Sequence, residues 1–569
     1  VWNQFHSPVD VDTDAAAALA EHDTANVKAA QNVAEAVDAI YFKSVKGSSP
    51  ATIKVWNSLD AVMTKVDVSY GTWGLNMFYR LQILHDVFRN VWILWTRWGR
   101  IGEDGQYQAT PFPKAADAEK EFLSIFKSKS SNDWSHRKDF VKTKGKYMYH
   151  PIKAGKPPTS DGSLLQPWGD SEFASPASIL PRTLAELLRE LCDVTALSQA
   201  YKLTGVASSA WPLGTISNDV LDVAISILGQ LKTVFEQLEF VTKNHKTDPE
   251  SALLTGPELT NELQVLREKI ADLANNFYEL VPHADFSNDR IAPPVSVEDL
   301  QQLWTRVTSM RELQLSARLI IASRYACKKH KLNALDYVLR ALDVDFEQLQ
   351  EPPKNSEGGF NSGEAEFSAI QKFVRRSCDE PIHAIFRVQR RSEAEKFTNY
   401  CNAENITNRK LLFHGSGSTN ILPILKEGLR IAPPEAPVTG YMFGKGIYFA
   451  DMASKSMGYA RREGESAFLF VCEVAIGETY NRVNAEYVQK LEKGKHSTKG
   501  LGARAPNPNG DIVMNNGVTI PIGEIIETKL TSEEMTQLCG PLPPNSRISL
   551  AANEYIVYNT AQVRIRYVI

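Results

Sequence analysis

Two stretches rich in Pro, Gly and Ser, at 151–177 and 352–363, cut this chain into three pieces, and the hydrophobic period differs from piece to piece. Such stretches read as linkers. Ahead of the first, branched and aromatic runs alternate as strands do. Between the two, apolar residues recur at helical spacing. Beyond the second, short strand-like runs return. One core cannot serve all three patterns, so the expected fold class is α+β and multidomain. At about 150 residues per domain, 569 residues allow three or four domains.

The first 54 residues are Ala- and Asp-rich, and no strong apolar stripe runs through 15–20 or 33–36. They are expected to form a mobile leader. Residues 55–152 change character. Tyr79-Arg-Leu-Gln-Ile-Leu84 and Val91-Trp-Ile-Leu-Trp-Thr96 flank the polar turn His85–Asn90, the pattern of a hairpin. Arg97-Trp98-Gly99-Arg100-Ile-Gly102 reads as a further turn, followed by a helix near Ala115–Ser128. The whole chain carries a net charge of −4, yet residues 71–150 hold thirteen Lys/Arg against eight Asp/Glu, a local net of +5. An anionic partner would therefore meet a patch on this piece, not the chain as a whole.

Residues 153–177 are read as linker and 178–350 as a helical bundle. Leu180, Leu184, Leu187, Leu188 and Leu191 share one helical face, as do Val220, Ala224, Ile227, Leu228, Leu231, Val234 and Leu238. Ser217 is a candidate cap for the second of these helices. Ser296 with Asp299 resembles a capping box opening another. In the last piece, 351–569, Lys410–Phe413, Gly446–Phe449, Ala467–Ile476 and Tyr555–Ile569 read as β, the last as a central or closing strand pair. The six cysteines are scattered and form no CxxC, which argues against a zinc module and a disulfide framework and for a reducing compartment. No run of about 18 apolar residues offers a membrane span. The first residue is Val, not Met, as in a fragment or a processed form.

Two glycine-rich loops imitate phosphate-binding motifs. Gly415-Ser416-Gly417-Ser-Thr-Asn420 lacks the third glycine of a dinucleotide fingerprint, and no βαβ series follows it. Gly440-Tyr-Met-Phe-Gly444-Lys445 is one residue short of a P-loop, and Gly446 stands where a Ser or Thr would bind magnesium.

What remains is distinctive. Leu411-Leu-Phe-His414-Gly-Ser416 ends a strand on a histidine and a glycine. Arg430 opens a Pro/Gly loop that runs through Tyr441-Met442 into Gly-Ile-Tyr448-Phe-Ala-Asp451. Asn553-Glu554-Tyr-Ile-Val-Tyr558 puts one carboxylate at the head of an apolar strand. These segments resemble the catalytic domain of the DNA-damage-dependent poly(ADP-ribose) polymerases, with near-continuous similarity over 411–460 and on through Lys493–Gly500 to Gln562. Trp98-Gly99-Arg100 resembles the WGR domain of the same enzymes. The helical piece, with Trp211-Pro-Leu-Gly214 and Phe277–His283, resembles their regulatory domain. The resemblance covers roughly 500 residues, all but the leader, and it is to the short type without zinc fingers.

The resemblance implies a WGR-like small β-sheet domain (55–152), an all-α regulatory bundle (178–350) and a split-β ADP-ribosyltransferase domain (351–569). It implies NAD+ as substrate, with no metal, and ADP-ribose transfer to protein acceptors such as histones and the chain itself. Glu554, His414 and Tyr448 would form the catalytic triad. Cleaving nicotinamide from NAD+ develops oxocarbenium character at the ribose carbon, which a carboxylate such as Glu554 stabilises. His414 would fix a ribose hydroxyl. Gly415 and Ser456 would hold the carboxamide, and Tyr448 and Tyr459 would sandwich the nicotinamide ring. Ser416, Arg430 and Tyr441 complete the implied NAD+ contacts, with Met442 and Lys455 on the acceptor side. Phe413, Gly417 and Ala552 depart from the residues relatives often carry, the last bearing on chain branching. DNA strand breaks are the implied activator, met by Arg100, Trp98, Tyr79, Lys138, Lys142 and Lys144, in a nuclear enzyme with no membrane partner. A mono-ADP-ribosyltransferase would usually replace Glu554 with an apolar residue. A non-catalytic DNA-end scaffold would not need His414, Tyr448 and Glu554 together.

Overall fold

The alternating run at 75–100 forms an antiparallel hairpin in the computed structural model of the chain, which describes residues 9–18, 37–46, 48–49, 51–67, 75–100, 104–150, 165, 168, 176–204, 218–247, 256–281, 294–351, 363–433, 436, 441–461, 466–543 and 545–569. The chain divides into two compact units. One comprises Ala15–Gln166 and Tyr201–Gln314, the other Val1–Asp14, Pro167–Ala200 and Leu315–Ile569. The helix Val297–His330 gives its first half to one unit and its second half to the other.

In the first unit, β1 (Ile53–Asp67), β2 (Leu75–Asp86), β3 (Val91–Arg100), β4 (Gln106–Phe112) and β5 (Met148–His150) form a sheet in the order β4-β3-β2-β1-β5. Its core gathers Met63, Leu81, Ile83 and Leu94 beneath Phe122 and Phe126 of the helix Ala115–Ser130. The expected turn at 97–102 is corrected: Arg97–Arg100 extend β3 and pair with Met77–Arg80. Gly99 serves close approach, since a Cβ there would lie 2.8 Å from the Cα of Gly105. Helices Asn218–Thr247 and Gly256–Leu280 pack on each other, and the second also meets β1. Of the apolar face read at 220–238, Ala224, Ile227, Leu228, Leu231 and Val234 are buried and Val220 and Leu238 half-buried, while Leu221, not read as part of it, is buried too. Ser296 and Asp299 cap the next helix reciprocally: the Asp299 amide donates to Ser296 Oγ (3.1 Å) and the Ser296 amide to Asp299 Oδ2 (3.1 Å).

The leader, expected to be mobile, contains two built-in elements. Residues 11–18 are helical. Asp12 pairs with Arg318 at 3.0 Å, and the Tyr337 hydroxyl donates to Asp14 at 2.6 Å. Further on, the helix Ala39–Ser44 buries Tyr41 edge-on against Trp95. Asp38 caps it and accepts from Arg97 Nε at 2.6 Å. Burial pushes the Asp38 carboxyl up, but the Arg97 bond and the charges of Arg80 and Arg97 outweigh it and hold the pKa below the usual carboxylate value. A lone Asp in an Ala-rich stretch gave no sign of this role. Most of the 151–177 linker, Trp211–Gly214, Ser217 and His283 lie outside the described residues.

In the second unit, Leu184, Leu187, Leu188 and Leu191 bury one face of the helix Arg182–Leu191. The strands are β6 (Val344–Gln348), β7 (Phe386–Arg390), β8 (Arg409–Gly415), β9 (Ile447–Phe449), β10 (Leu469–Ala475), β11 (Thr479–Arg482), β12 (Ser497–Gly500), β13 (Gly502–Pro506), β14 (Ile512–Val513), β15 (Val518–Ile520), β16 (Ile525–Glu527), β17 (Leu550–Ala552), β18 (Glu554–Val557) and β19 (Val563–Val568). They form three sheets, ordered β14-β15-β8-β10-β19-β7-β6, β11-β12-β18-β9 and β16-β13-β17. The expected strand pair at the C-terminus is corrected. β18 and β19 never pair, because the turn Thr560–Gln562, its N-terminus closed by a capping box of Asn559 and Gln562, sends them into different sheets. β19 is central in its sheet, as its apolar alternation demands. The sheet is therefore split, and the split positions the site.

Candidate active site

Three strands carry the three residues singled out for catalysis. β8 runs antiparallel to β10, which sets His414 opposite Phe470. One residue earlier, Phe413 bridges to Ala450, with reciprocal backbone bonds of 2.7 and 3.0 Å. Ala450 directly follows β9, and β9 pairs with β18, Tyr448 facing Ile556 and Phe449 facing Tyr555. Glu554 is the next residue along β18. The Phe413–Ala450 bridge therefore joins the two sheets where His414, Tyr448 and Glu554 come together.

The His414 ring is tied to this frame. Its Nδ1 lies 2.9 Å from the backbone oxygen of Tyr448. A carbonyl only accepts, so Nδ1 carries the hydrogen and the neutral ring presents Nε2 as an acceptor. Burial pushes the His414 pKa below its usual value, more than the Tyr448 bond raises it. The ring is thus suited to receiving a hydroxyl hydrogen. Tyr448 is held at its far end, its hydroxyl accepting from the Phe443 amide (3.1 Å) and donating to the Gly444 carbonyl (2.6 Å). Burial pushes this phenol well up, so it stays neutral and offers its ring. The Tyr441 ring lies 6.4 Å from it, tilted by 42°. Gly444 makes the turn with φ +86°, a conformation that favours glycine.

Glu554 is 8% exposed. Lys455 Nζ stands 3.3 Å from its Oε1 and donates to the carbonyls of Ala552 (3.2 Å) and Asn553 (3.3 Å). Lys455, expected on the acceptor side, is thus beside the candidate catalytic carboxylate itself. Ser456 is buried and donates to the Phe413 carbonyl at 3.1 Å. A Cβ on Gly415 would fall 1.8 Å from the Ser456 carbonyl oxygen, so only glycine fits that place. Ser456 and Gly415 are therefore side by side. Tyr459 is 62% exposed and Met442 41% exposed. Ser416 Oγ accepts from Asn420 at 3.1 Å. Arg430 is exposed and ion-paired with Glu427.

Sequence reasoning missed Asp451. It is 4% exposed and accepts from Asn553 Nδ2 (2.7 Å) and the Tyr555 hydroxyl (3.1 Å). The sequence shows only a carboxylate directly after the apolar Ile-Tyr-Phe-Ala run, which does not name the distant partners that give it a role.

The basic face of the other unit is less uniform. Arg100 and Lys138 are exposed. Tyr79 is buried, with Trp98 stacked at 6.0 Å and Lys129 over its ring at 4.8 Å, so its aromatic faces are already covered and it serves packing. Lys142 is ion-paired with Glu279, and Lys144 pairs with Asp272 at 2.8 Å, both acids lying on the helix Gly256–Leu280. Among the described residues, no helix is long and apolar enough to cross a membrane.

A strand-borne histidine, tyrosine and glutamate at the split of a β-fold define the ADP-ribosyltransferase class of catalytic domain. Residues 364–569 match the poly(ADP-ribose) polymerase catalytic domain, 178–337 the poly(ADP-ribose) polymerase regulatory domain, and 59–141 the WGR domain. The chain is 30% identical over 525 residues to poly [ADP-ribose] polymerase 2 of Arabidopsis thaliana, covering 90% of this chain and 72% of that one. It is 31% identical over 521 residues to poly [ADP-ribose] polymerase 1 of Gallus gallus, covering 90% of this chain but only 44% of the chicken protein's length. The chain belongs to the poly(ADP-ribose) polymerase family.

Proposed function

We propose that this chain cleaves NAD+ to nicotinamide and transfers ADP-ribose to protein acceptors, including itself and histones, and onto growing chains, and that DNA strand breaks activate it in the nucleus. The observation that carries the reading is the junction of His414, Tyr448 and Glu554 at the Phe413–Ala450 bridge. Glu554 stabilises the oxocarbenium-like ribose carbon and polarises the incoming hydroxyl. His414 Nε2 accepts from a ribose hydroxyl. Gly415 and Ser456 orient the carboxamide, and the Tyr448 and Tyr459 rings hold the nicotinamide between them. Arg430, Tyr441 and Ser416 line the remainder of the NAD+ site, and Met442 and Lys455 face the acceptor. Arg100 meets a phosphate or an exposed sugar at the break, and Lys138 adds a further exposed charge. Lys142 and Lys144 join them only in a state that has released their acidic partners.

Incubating the chain with labelled NAD+, with and without a nicked duplex, tests the reading. A DNA-dependent ladder of high-mass product, lost in Glu554→Gln, is the expected result. One sharp modified band would make the chain a monotransferase. No labelling by a folded, DNA-binding protein would leave a scaffold.

A further inference from the structure

Glu554 sits between two residues that are tied to one buried carboxylate. Asn553, immediately before it, donates to Asp451 Oδ2 at 2.7 Å, and Tyr555, immediately after it, donates to the same oxygen at 3.1 Å. Asn553 is fixed from its other end as well, its Oδ1 accepting from the Gly502 amide at 2.9 Å. Side chains alternate along a strand. Residues 553 and 555 therefore point to one face, where Asp451 waits, and Glu554 is turned to the opposite one. Asp451, Asn553 and Tyr555 are 4%, 4% and 3% exposed, so these bonds are not exchanged with water.

Asp451 belongs to the segment that joins the two sheets. Ala450 before it bridges to Phe413, Lys455 after it reaches Glu554, and Ser456 bonds the Phe413 carbonyl. One short segment thus sets the position of the Glu554 strand against the strand that carries His414. Asp451 does its part through a single oxygen, since its Oδ1 is buried without a hydrogen-bond partner.

We infer that Asp451 is a positioning residue for the reaction: by holding Asn553 and Tyr555 from behind, it fixes the height and direction of the Glu554 carboxylate relative to His414. This rests on the proposed NAD+ chemistry. A displacement of about 1 Å at a reacting group costs on the order of 100-fold in rate. Asp451→Ala leaves Asn553 Nδ2 and the Tyr555 hydroxyl without their acceptor, and the head of the strand loses its anchor. Asp451→Asn can place its amide oxygen where Oδ2 stands and keep both bonds.

The experiment measures NAD+ cleavage by the full chain with a nicked duplex, as kcat and KM separately, for wild type, Asp451→Ala, Asp451→Asn and Tyr555→Phe, each also in a Glu554→Gln background. We expect Asp451→Ala to lower kcat by about 30-fold while KM for NAD+ stays within about twofold, the mark of an interaction used in the transition state. Asp451→Asn recovers to within about threefold of wild type, and Tyr555→Phe, which removes one of the two bonds, loses about fivefold. In the Glu554→Gln background Asp451→Ala costs less than about twofold, because the group it positions is already gone. Equal losses with and without Glu554 would make Asp451 a purely structural residue and overturn the inference, as would full activity in Asp451→Ala. Tyr555→Phe keeps the test decisive if Asp451→Ala does not fold: its loss must likewise vanish in Glu554→Gln. A wild type that cleaves no NAD+ would defeat the proposed function itself, a result separable from all of these.

Discussion

The two candidate surfaces of this chain use polar groups in opposite ways. At the split of the sheet the groups are withdrawn from water, Ser456 fully and His414 and Tyr448 in part, and are held by backbone: His414 by the Tyr448 carbonyl, Tyr448 by Gly444, and Ser456 by Phe413. On the basic face of the WGR-like unit the groups are charged, and several are already engaged. Lys142 and Lys144 pair with acids of one helix, and Arg97 turns inward to Asp38. A site whose chemistry needs particular residues on particular strands leaves a motif in the sequence. A charged face leaves only a count, and a count does not say which lysine has a partner.

The sharpest way to break this comparison is to alter the backbone-held site. On the proposed chemistry, Glu554→Gln keeps shape and burial but removes the charge that stabilises the oxocarbenium-like carbon, and polymer formation should fall by about a thousandfold. Polymer yield on a gel, against an unchanged melting temperature, checks it. Gly415→Ala follows. A methyl group 1.8 Å from the Ser456 carbonyl must push β8 and the 450–456 segment apart. Its kcat/KM for NAD+ should fall by about a hundredfold. Wild-type kinetics in Gly415→Ala would mean that the close approach is not part of the site.

On the charged face the expected effects are smaller and of a different kind. Arg100→Ala should weaken binding to a nicked duplex about tenfold and flatten the salt dependence by about one counterion, as the loss of one phosphate contact does. Lys142→Ala should act on stability first. Glu279 is only 10% exposed in its side chain, and burial pushes its carboxyl pKa up, opposed by the Lys142 bond. Stripped of its partner, it should cost about 2 kcal/mol in a melt, less than a fully buried pair because Lys142 keeps some water. Lys144→Ala, at an exposed pair, should change the melt far less. If Lys142→Ala lowered DNA affinity with no change in melting, the charged face would be as legible from a count as the catalytic site is from its motifs.

Particular residues show where the sequence was enough. The hairpin at 79–96 followed from alternation about a polar turn, and the reciprocal bonds of Ser296 and Asp299 from their spacing. Both are local, and local rules decide them. The separation of β18 from β19 was not legible, because the sheet a strand joins depends on partners far away in sequence: β9 and β12 for one, β10 and β7 for the other. Nor was Asp451, whose role exists only once Asn553 and Tyr555, a hundred residues on, are folded over it. Asp38 was hidden in the same way until Arg97 closed on it.

The smallest effect tests the claim that the catalytic site runs on desolvated groups. Burial lowers the folded pKa of His414 below the value of about 6.5 that the unfolded chain has. As pH falls through that value, the unfolded chain takes up a proton that the folded site refuses. The stability contributed by the neutral ring is therefore complete above pH 6.5 and is lost as pH falls toward the lower folded value. His414→Asn, which cannot titrate, should lose less stability than wild type between pH 7.5 and pH 5.5. The His414 ring resonance, found by difference against the same variant, should have its midpoint below 6.5. A midpoint at or above 6.5 would mean that the ring is solvated or stands beside an ionised carboxylate. The contrast between a desolvated catalytic site and a hydrated, charged face would then fail at its most sensitive residue.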